Sequence, residues 1–127
     1  MELQETSAEI WEQKYQLKDQ NGTPIDLSVE DTYKRVAKAL AAIEKNPEEW
    51  EKTFFNTFER GATAAGRVMS NSGALKYKPA TATINCTVSG IVGDSMEDIL
   101  WKNVEAGMTL KAGCGIGYEF STLRPKD

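Results

Sequence analysis

Two stretches in the first half of the chain repeat apolar residues at helical spacing. The first follows Ser28, which has capping-box spacing with Asp31, and its apolar positions are Val29, Tyr33, Val36, Leu40 and Ile43. The second begins at Asn46 and Pro47 and ends near Gly61, with an aromatic stripe at Trp50, Phe54 and Phe58. The pattern predicts two helices, and we interpret the aromatic stripe as core packing between them.

Other patterns flank these helices. Residues 7–14 favour a short helix, and the turn residues 19–22 favour a small hairpin between 15–18 and 24–27. Residues 81–88 alternate as a strand does. Ser95 and Asp98 have the spacing that begins a further helix, whose apolar face would contain Met96, Ile99 or Leu100, Val104 and Met108. A closing strand follows, so the order of elements predicts a mixed α+β fold.

Composition excludes several functions. The chain of 127 residues contains no His and two Cys, so it cannot by itself form a Ser-His-Asp site, an imidazole metal site or a structural zinc site. The net charge of -4 argues against duplex nucleic acid as a partner. We expect no membrane segment and no secretory signal, and therefore a cytoplasmic protein with reduced thiols.

The two cysteines and their surroundings are the candidates for chemistry. Cys86 lies in the predicted strand, where a buried structural thiol is the commoner interpretation. Cys114 lies in a turn with Gly113, Gly115 and Gly117. This Gly-x-Gly-x-Gly pattern is weak support for a dinucleotide site, since it follows a helix and we expect no βαβ unit around it. A disulfide between the two cysteines would be transient in a reducing compartment.

Four motifs resemble, in order and spacing, the catalytic chain of ribonucleotide reductases, most closely the adenosylcobalamin-dependent form, class II. They are Ala65-Gly66-Arg67-Val68-Met69, Asn85-Cys86-Thr87-Val88, Asp94-Ser95-Met96 and, at 113–125, Gly-Cys-Gly-Ile-Gly-Tyr-Glu-Phe-Ser-Thr-Leu-Arg-Pro. The resemblance covers nearly the whole chain, and the last motif is highly specific. It implies a helical region over 1–61, followed over 62–127 by the first strands and helix of a ten-stranded α/β barrel.

The resemblance also implies roles for individual residues. Cys86 corresponds to one of the two thiols that reduce the ribose 2′ carbon and become a disulfide. The residues that would contact the substrate are Asn85, Gly113, Cys114 and Gly115, together with Gly66 and Arg67. Those that would begin the site for a deoxynucleoside triphosphate effector, which selects the base to be reduced, are Asp94, Ser95 and Met96. Cys114 departs from the family, which usually has Gly or Ala there, so a second thiol near the substrate is an open possibility.

The resemblance further implies partners that this segment lacks. The radical cysteine, the second reducing cysteine and the adenosylcobalamin site belong to later parts of the family's chain. We therefore expect a small subunit of a split reductase, inactive alone, which pairs its strands with a larger chain and depends on a thioredoxin-like reductant. A piece cut from a longer chain is the simpler alternative. A non-catalytic module that binds the effector or scaffolds a larger reductase chain is the alternative function.

Overall fold

The computed structural model describes residues 3–78 and 81–126, and the chain divides into two compact units, Met1–Thr83 and Ile84–Asp127. The first unit contains α1 (Glu5–Ile10), a short π-helix (Trp11–Tyr15), α2 (Val29–Ala41), α3 (Pro47–Glu59) and α4 (Gly66–Asn71). The second contains β1 (Cys86–Val88), α5 (Met96–Lys111) and β2 (Gly115–Gly117). The described residues therefore form the mixed helix and strand fold that the pattern predicts.

Local signals fix the ends of α2 and α3. The Ser28 hydroxyl accepts from the Asp31 backbone N–H at 3.2 Å, and the Asp31 carboxylate accepts from the Ser28 N–H at 3.1 Å, which confirms the capping box. Pro47 occupies the first position of α3, and Gly61 follows its end with a φ of 95°. Ile43 lies beyond the end of α2 and is 90% exposed, so its predicted place on the apolar face is wrong.

The core of the first unit joins α2, α3 and α4. Its buried residues are Val36, Ala37, Phe58 and Met69. The rings of Tyr33 and Phe58 lie with centroids 5.6 Å apart, as expected for aromatic packing between two helices. Phe54 also packs against this core, whereas Trp50 is 40% exposed, so its predicted place in the core is wrong. Because Met69 of α4 belongs to this core, the compact first unit extends past residue 61, where the resemblance implies that the helical region ends.

A buried ion pair connects the predicted hairpin to α2. The Asp26 carboxylate accepts from the Arg35 guanidinium at 2.8 Å and from the Thr32 hydroxyl at 2.7 Å. Arg35 also donates to the Ser72 carbonyl at 2.6 Å. The predicted hairpin contains a single antiparallel bridge, between Lys18 and Pro24. The Leu17 N–H donates to the Asp26 side chain at 3.3 Å and not to a backbone carbonyl, so it adds no bond to the strand ladder.

The second unit is a βαβ unit. Strands β1 and β2 are parallel, with Cys86 opposite Gly115 and Val88 opposite Gly117, and α5 connects them. The expectation that no βαβ unit surrounds the glycine-rich segment is therefore wrong. The glycines here nevertheless precede and form the second strand, whereas the glycines of the dinucleotide-binding fingerprint directly follow the first strand of a βαβ unit. The strand predicted over 81–88 is confined to Cys86–Val88.

Helix α5 begins as predicted but exposes its apolar residues. The Ser95 hydroxyl accepts from the Asp98 N–H at 3.2 Å, which confirms the cap. Among the described residues of α5 none is buried. The exposed apolar side chains are Met96, Leu100, Trp101, Val104, Met108 and Leu110. The predicted apolar stripe of α5 is therefore present, but the described residues of the second unit do not bury it.

Candidate functional site

The parallel strand pair brings three of the predicted site residues together. Cys86 lies opposite Gly115, and the Gly115 N–H donates to the Asn85 carbonyl at 2.9 Å. At the other end of the pair the Ser89 N–H donates to the Gly117 carbonyl at 2.9 Å. Residues that are distant in the sequence are thus neighbours because the strands pair in this register.

Gly115 leaves space beside the Cys86 thiol. A Cβ at Gly115 would lie 3.4 Å from the Cys86 sulfur and 3.7 Å from the Asn85 carbonyl oxygen. Cys86 is exposed and is not part of a disulfide. A side chain at Gly115 would cover one flank of the thiol, whereas glycine allows another group to approach it closely.

Cys114 has a different environment from Cys86. It is 7% exposed, and its sulfur contacts the Gly115 carbonyl oxygen at 3.4 Å. Cys114 lies between the turn that ends α5 and the start of β2. Both cysteines are free. The two cysteines therefore differ in burial, one exposed and one buried.

Gly113 ends α5 in a left-handed backbone conformation. Its φ is 78°, its N–H donates to the Leu110 carbonyl at 2.8 Å, and the Cys114 N–H donates to the Thr109 carbonyl at 3.1 Å. These two bonds form a Schellman motif, which requires the left-handed conformation that glycine adopts without strain. Gly113 thereby turns the chain from α5 into β2.

Asp94 lies directly before α5 and binds Arg124. The Arg124 Nε donates to the Asp94 carboxylate at 2.8 Å, and its Nη2 donates to the Asp94 carbonyl at 3.1 Å. The hydrogen bond from Arg124 lowers the pKa of Asp94. The Thr122 hydroxyl donates to the Val92 carbonyl at 2.6 Å, so the segment that carries Arg124 is attached to the turn before α5 at two points.

The other two predicted effector residues complete this turn. Ser95 is the helix cap, and the Asp98 carboxylate accepts from the Gly93 N–H. Met96, the first residue of α5, is exposed. The sequence alone assigned no role to Arg124 or Thr122. Only the fold shows that they contact residues 30 positions earlier in the chain.

Gly66 and Arg67 belong to the first unit, whereas the other predicted site residues belong to the second. They are the first two residues of α4, and both are half-buried. Gly66 lines a cavity of about 400 Å³ whose walls are mostly apolar and include Ile10, Trp11, Tyr15, Val29, Tyr33 and Met69. Their predicted contact with the substrate phosphate stays a prediction.

Within residues 3–78 and 81–126, no group of three or more Cys, Asp or Glu residues is placed to hold a metal ion. None of the helices in those ranges has the length and apolar character needed to cross a membrane.

Comparison with known proteins identifies the relatives of this chain. The family of the ribonucleotide reductase all-alpha domain matches residues 1–76, which include α1 to α4. The chain is also similar to the ribonucleoside-diphosphate reductase subunit alpha of Helicobacter pylori, with 29% identity over 112 residues. That alignment covers 87% of this chain but only 14% of the relative. Since the family match takes in more than half of the sequence, this chain belongs to the ribonucleotide reductase family.

Proposed function

We propose that this chain supplies the Cys86 thiol and parts of the substrate and effector sites to a ribonucleotide reductase. The observation that carries the proposal is the register of β1 and β2, which sets the exposed thiol beside Gly115 and the Asn85 backbone. A thiol that reacts with a ribose must be accessible and fixed in position. Cys86 meets the first requirement, and its strand pairing meets the second.

The proposed reaction uses Cys86 together with a second thiol of a larger chain. The two thiols give two electrons and two protons. The C2′–OH bond of the ribose breaks, a C2′–H bond forms, and the oxygen leaves as water. The thiols become a disulfide, which a thioredoxin-like reductant returns to the dithiol. The name of the Helicobacter pylori relative makes a ribonucleoside diphosphate the first substrate to test.

The substrate would lie along the glycine-rich segment. Glycine at 115 allows close approach of a ribose or phosphate to the backbone, and Asn85 lies next to the thiol in β1. Gly113 and Cys114 would act by shaping this segment, since Gly113 ends α5 and Cys114 is buried. Gly66 and Arg67 are proposed to contact the substrate phosphates.

The effector would bind where α5 begins. A helix N-terminus favours anionic groups such as a triphosphate, and Asp94, Ser95 and Met96 surround that end of α5. Asp94 is exposed, and its carboxylate can accept hydrogen bonds from a deoxyribose hydroxyl. Because Arg124 already binds Asp94, we expect the effector to meet both residues of this pair.

A larger reductase chain would cover the second unit. Parallel sheets normally have many strands and are buried on both faces, whereas β1 and β2 form a pair whose β1 residues are all exposed. The apolar face of α5 is uncovered as well. We propose that the larger chain adds strands to this pair and completes the barrel.

Adenosylcobalamin remains the cofactor that the resemblance suggests. No residue of this chain is proposed to hold it, because the described residues around Cys86 are a small strand pair with glycine and backbone groups. Neither nucleic acid nor a membrane is proposed as a partner.

The test is reconstitution with the larger chain and measurement of repeated turnover. Cys86→Ser should abolish multi-turnover reduction by a thioredoxin-like reductant, because serine cannot form the disulfide. Cys114→Ser is the matched control and should keep most of the activity, since Cys114 is buried. Full activity in Cys86→Ser would refute the proposed role.

A non-catalytic effector-binding module is the second candidate, and the uncovered face of α5 favours it as a surface for assembly. Asp94→Ala separates the two candidates. If Asp94→Ala changes base selectivity while Cys86→Ser leaves turnover intact, the module is the correct function.

A further inference from the structure

One turn in the middle of α5 contacts the ends of both strands. The Tyr118 hydroxyl donates to the Lys102 carbonyl of α5 at 2.7 Å, and Tyr118 directly follows β2. The Ser89 hydroxyl contacts the Glu105 carboxylate at 3.4 Å, and Ser89 directly follows β1. Each strand thus has its own connection to the helix.

The two residues of α5 that make these connections, Lys102 and Glu105, also form an ion pair with each other. The Lys102 ammonium donates to the Glu105 carboxylate at 2.9 Å, and the Lys102 side chain is only 18% exposed. Residues three apart on a helix are neighbours on its surface, so the pair is compatible with regular helix geometry. The hydrogen bond with Glu105 raises the pKa of Lys102. A Cβ at Gly90 would lie 3.2 Å from the Lys102 ammonium, so the chain after β1 passes close to this pair.

This turn of α5 lies between the proposed effector site and the strand pair that carries Cys86. Helix α5 begins at the Ser95 cap, and Lys102 follows about two helical turns later, or roughly 10 Å along the axis. The strands attached at Lys102 and Glu105 carry Cys86 and Gly115. A continuous helix therefore links the proposed effector end to the strand pair.

We propose that Tyr118 and Glu105 are positioning residues that fasten the strand pair to α5. Through them the start of α5 sets the position of Gly115 relative to the Cys86 thiol. A ligand that moves the first turn of α5 moves this turn too, because the helix transmits the displacement along its axis. The inference rests on the proposed function, since it assigns the regulation of that same site.

The first experiment measures hydrogen exchange of the full chain at the Gly115 and Ser89 amides, which form the two bonds that close the strand pair. Tyr118→Phe removes one hydroxyl, and we expect these amides to exchange roughly fivefold faster through loss of one hydrogen bond. Tyr33→Phe removes the same atom in the first unit and should leave both amides unchanged. Equal exchange in wild type and Tyr118→Phe would overturn the proposal.

The second experiment uses the reductase reconstituted with the larger chain. The quantity measured is the substrate KM without effector divided by the substrate KM with a deoxynucleoside triphosphate. This ratio reports how strongly the start of α5 influences the strand pair. We expect Tyr118→Phe to bring this ratio severalfold closer to one, and to lower kcat as well, because the strand pair that fixes the Cys86 thiol is loosened. A purely structural role would lower kcat and leave the ratio unchanged, and that result would overturn the proposal.

Glu105→Gln provides an independent variant should Tyr118→Phe fail to fold. It keeps the shape of the side chain and removes its charge, so the contacts to Ser89 and Lys102 weaken. The same change in the KM ratio is expected, and an unchanged ratio would contradict the inference. Failure of the proposed function has a separate signature, which is full turnover by Cys86→Ser. The exchange experiment on the free chain is independent of that result.

Discussion

Arg35 joins separate segments of the first unit through its guanidinium group. Its guanidinium binds the Asp26 carboxylate at 2.8 Å and the Ser72 carbonyl at 2.6 Å, and it connects the segment before α2 to the end of α4. The side chain of Asp26 is 4% exposed and that of Arg35 is 10% exposed. Removing one partner would therefore leave the other charge buried without compensation.

Arg35→Met should lower the free energy of unfolding by about 3–5 kcal/mol, the usual cost of breaking a buried pair from one side. Urea denaturation followed by circular dichroism measures it. Lys34→Met is the matched control on the same helix. Lys34 is exposed and lies 3.8 Å from Asp31, so its loss should change the free energy of unfolding by less than about 1 kcal/mol. Equal losses in the two variants would contradict this assignment.

The pair of Asp94 and Arg124 makes a prediction about pH. Arg124 lowers the pKa of Asp94 below its ordinary value of 3.8, so the pair stabilises the turn above that pH. The stabilisation is lost as the pH falls through the lowered pKa. In Arg124→Gln the pKa of Asp94 should rise towards its ordinary value, as followed by the NMR shift of its carboxyl carbon. An unchanged titration midpoint would show that the pair does not form in solution.

Neither ion pair could be predicted from the sequence. Asp26 lies before α2 and Arg35 lies within it, and Asp94 and Arg124 are separated by the whole of α5 and β2. A charge pattern identifies partners only at helical spacing. Cys86 was identified through a motif, but its nearness to Gly115 follows from strand register, which local residues do not determine.

At the scale of elements, the helix ends were the most predictable features. Ser28, Ser95 and Gly61 act through bonds to residues a few positions away, so their signals are local and appear in the sequence. The strands were less predictable. The predicted strand at 81–88 shrinks to Cys86–Val88 because β1 pairs only with the three residues of β2.

The glycine inside α5 and the glycine that follows its end should respond in opposite ways to alanine. Gly113 ends the helix with a φ of 78°, where alanine costs about 1 kcal/mol or more. Gly107 lies inside α5 with no atom within 4 Å of an added Cβ, so alanine should stabilise the helix by about 1 kcal/mol. Far-UV circular dichroism should therefore show less helix in Gly113→Ala and more in Gly107→Ala. A gain of helix in Gly113→Ala would contradict the Schellman motif.

At the scale of the whole molecule, the two units differ in how well they cover their apolar residues. The first has a buried core built from three helices, consistent with its match to the all-alpha domain. The second leaves strand β1 of its two-stranded parallel sheet and the apolar side of α5 exposed. The chain spans 14% of its curated relative, and we propose that the rest of a reductase provides the missing cover.

The oxidation state of Cys86 after a single turnover tests the central proposal most directly. The reconstituted reductase is given a ribonucleotide without external reductant, quenched by alkylation under denaturing conditions, and analysed by mass spectrometry. We predict that Cys86 escapes alkylation in proportion to the deoxyribonucleotide formed and is found in a disulfide with a cysteine of the larger chain, while Cys114 is alkylated fully. Deoxyribonucleotide formation with Cys86 still fully alkylated would contradict the proposal.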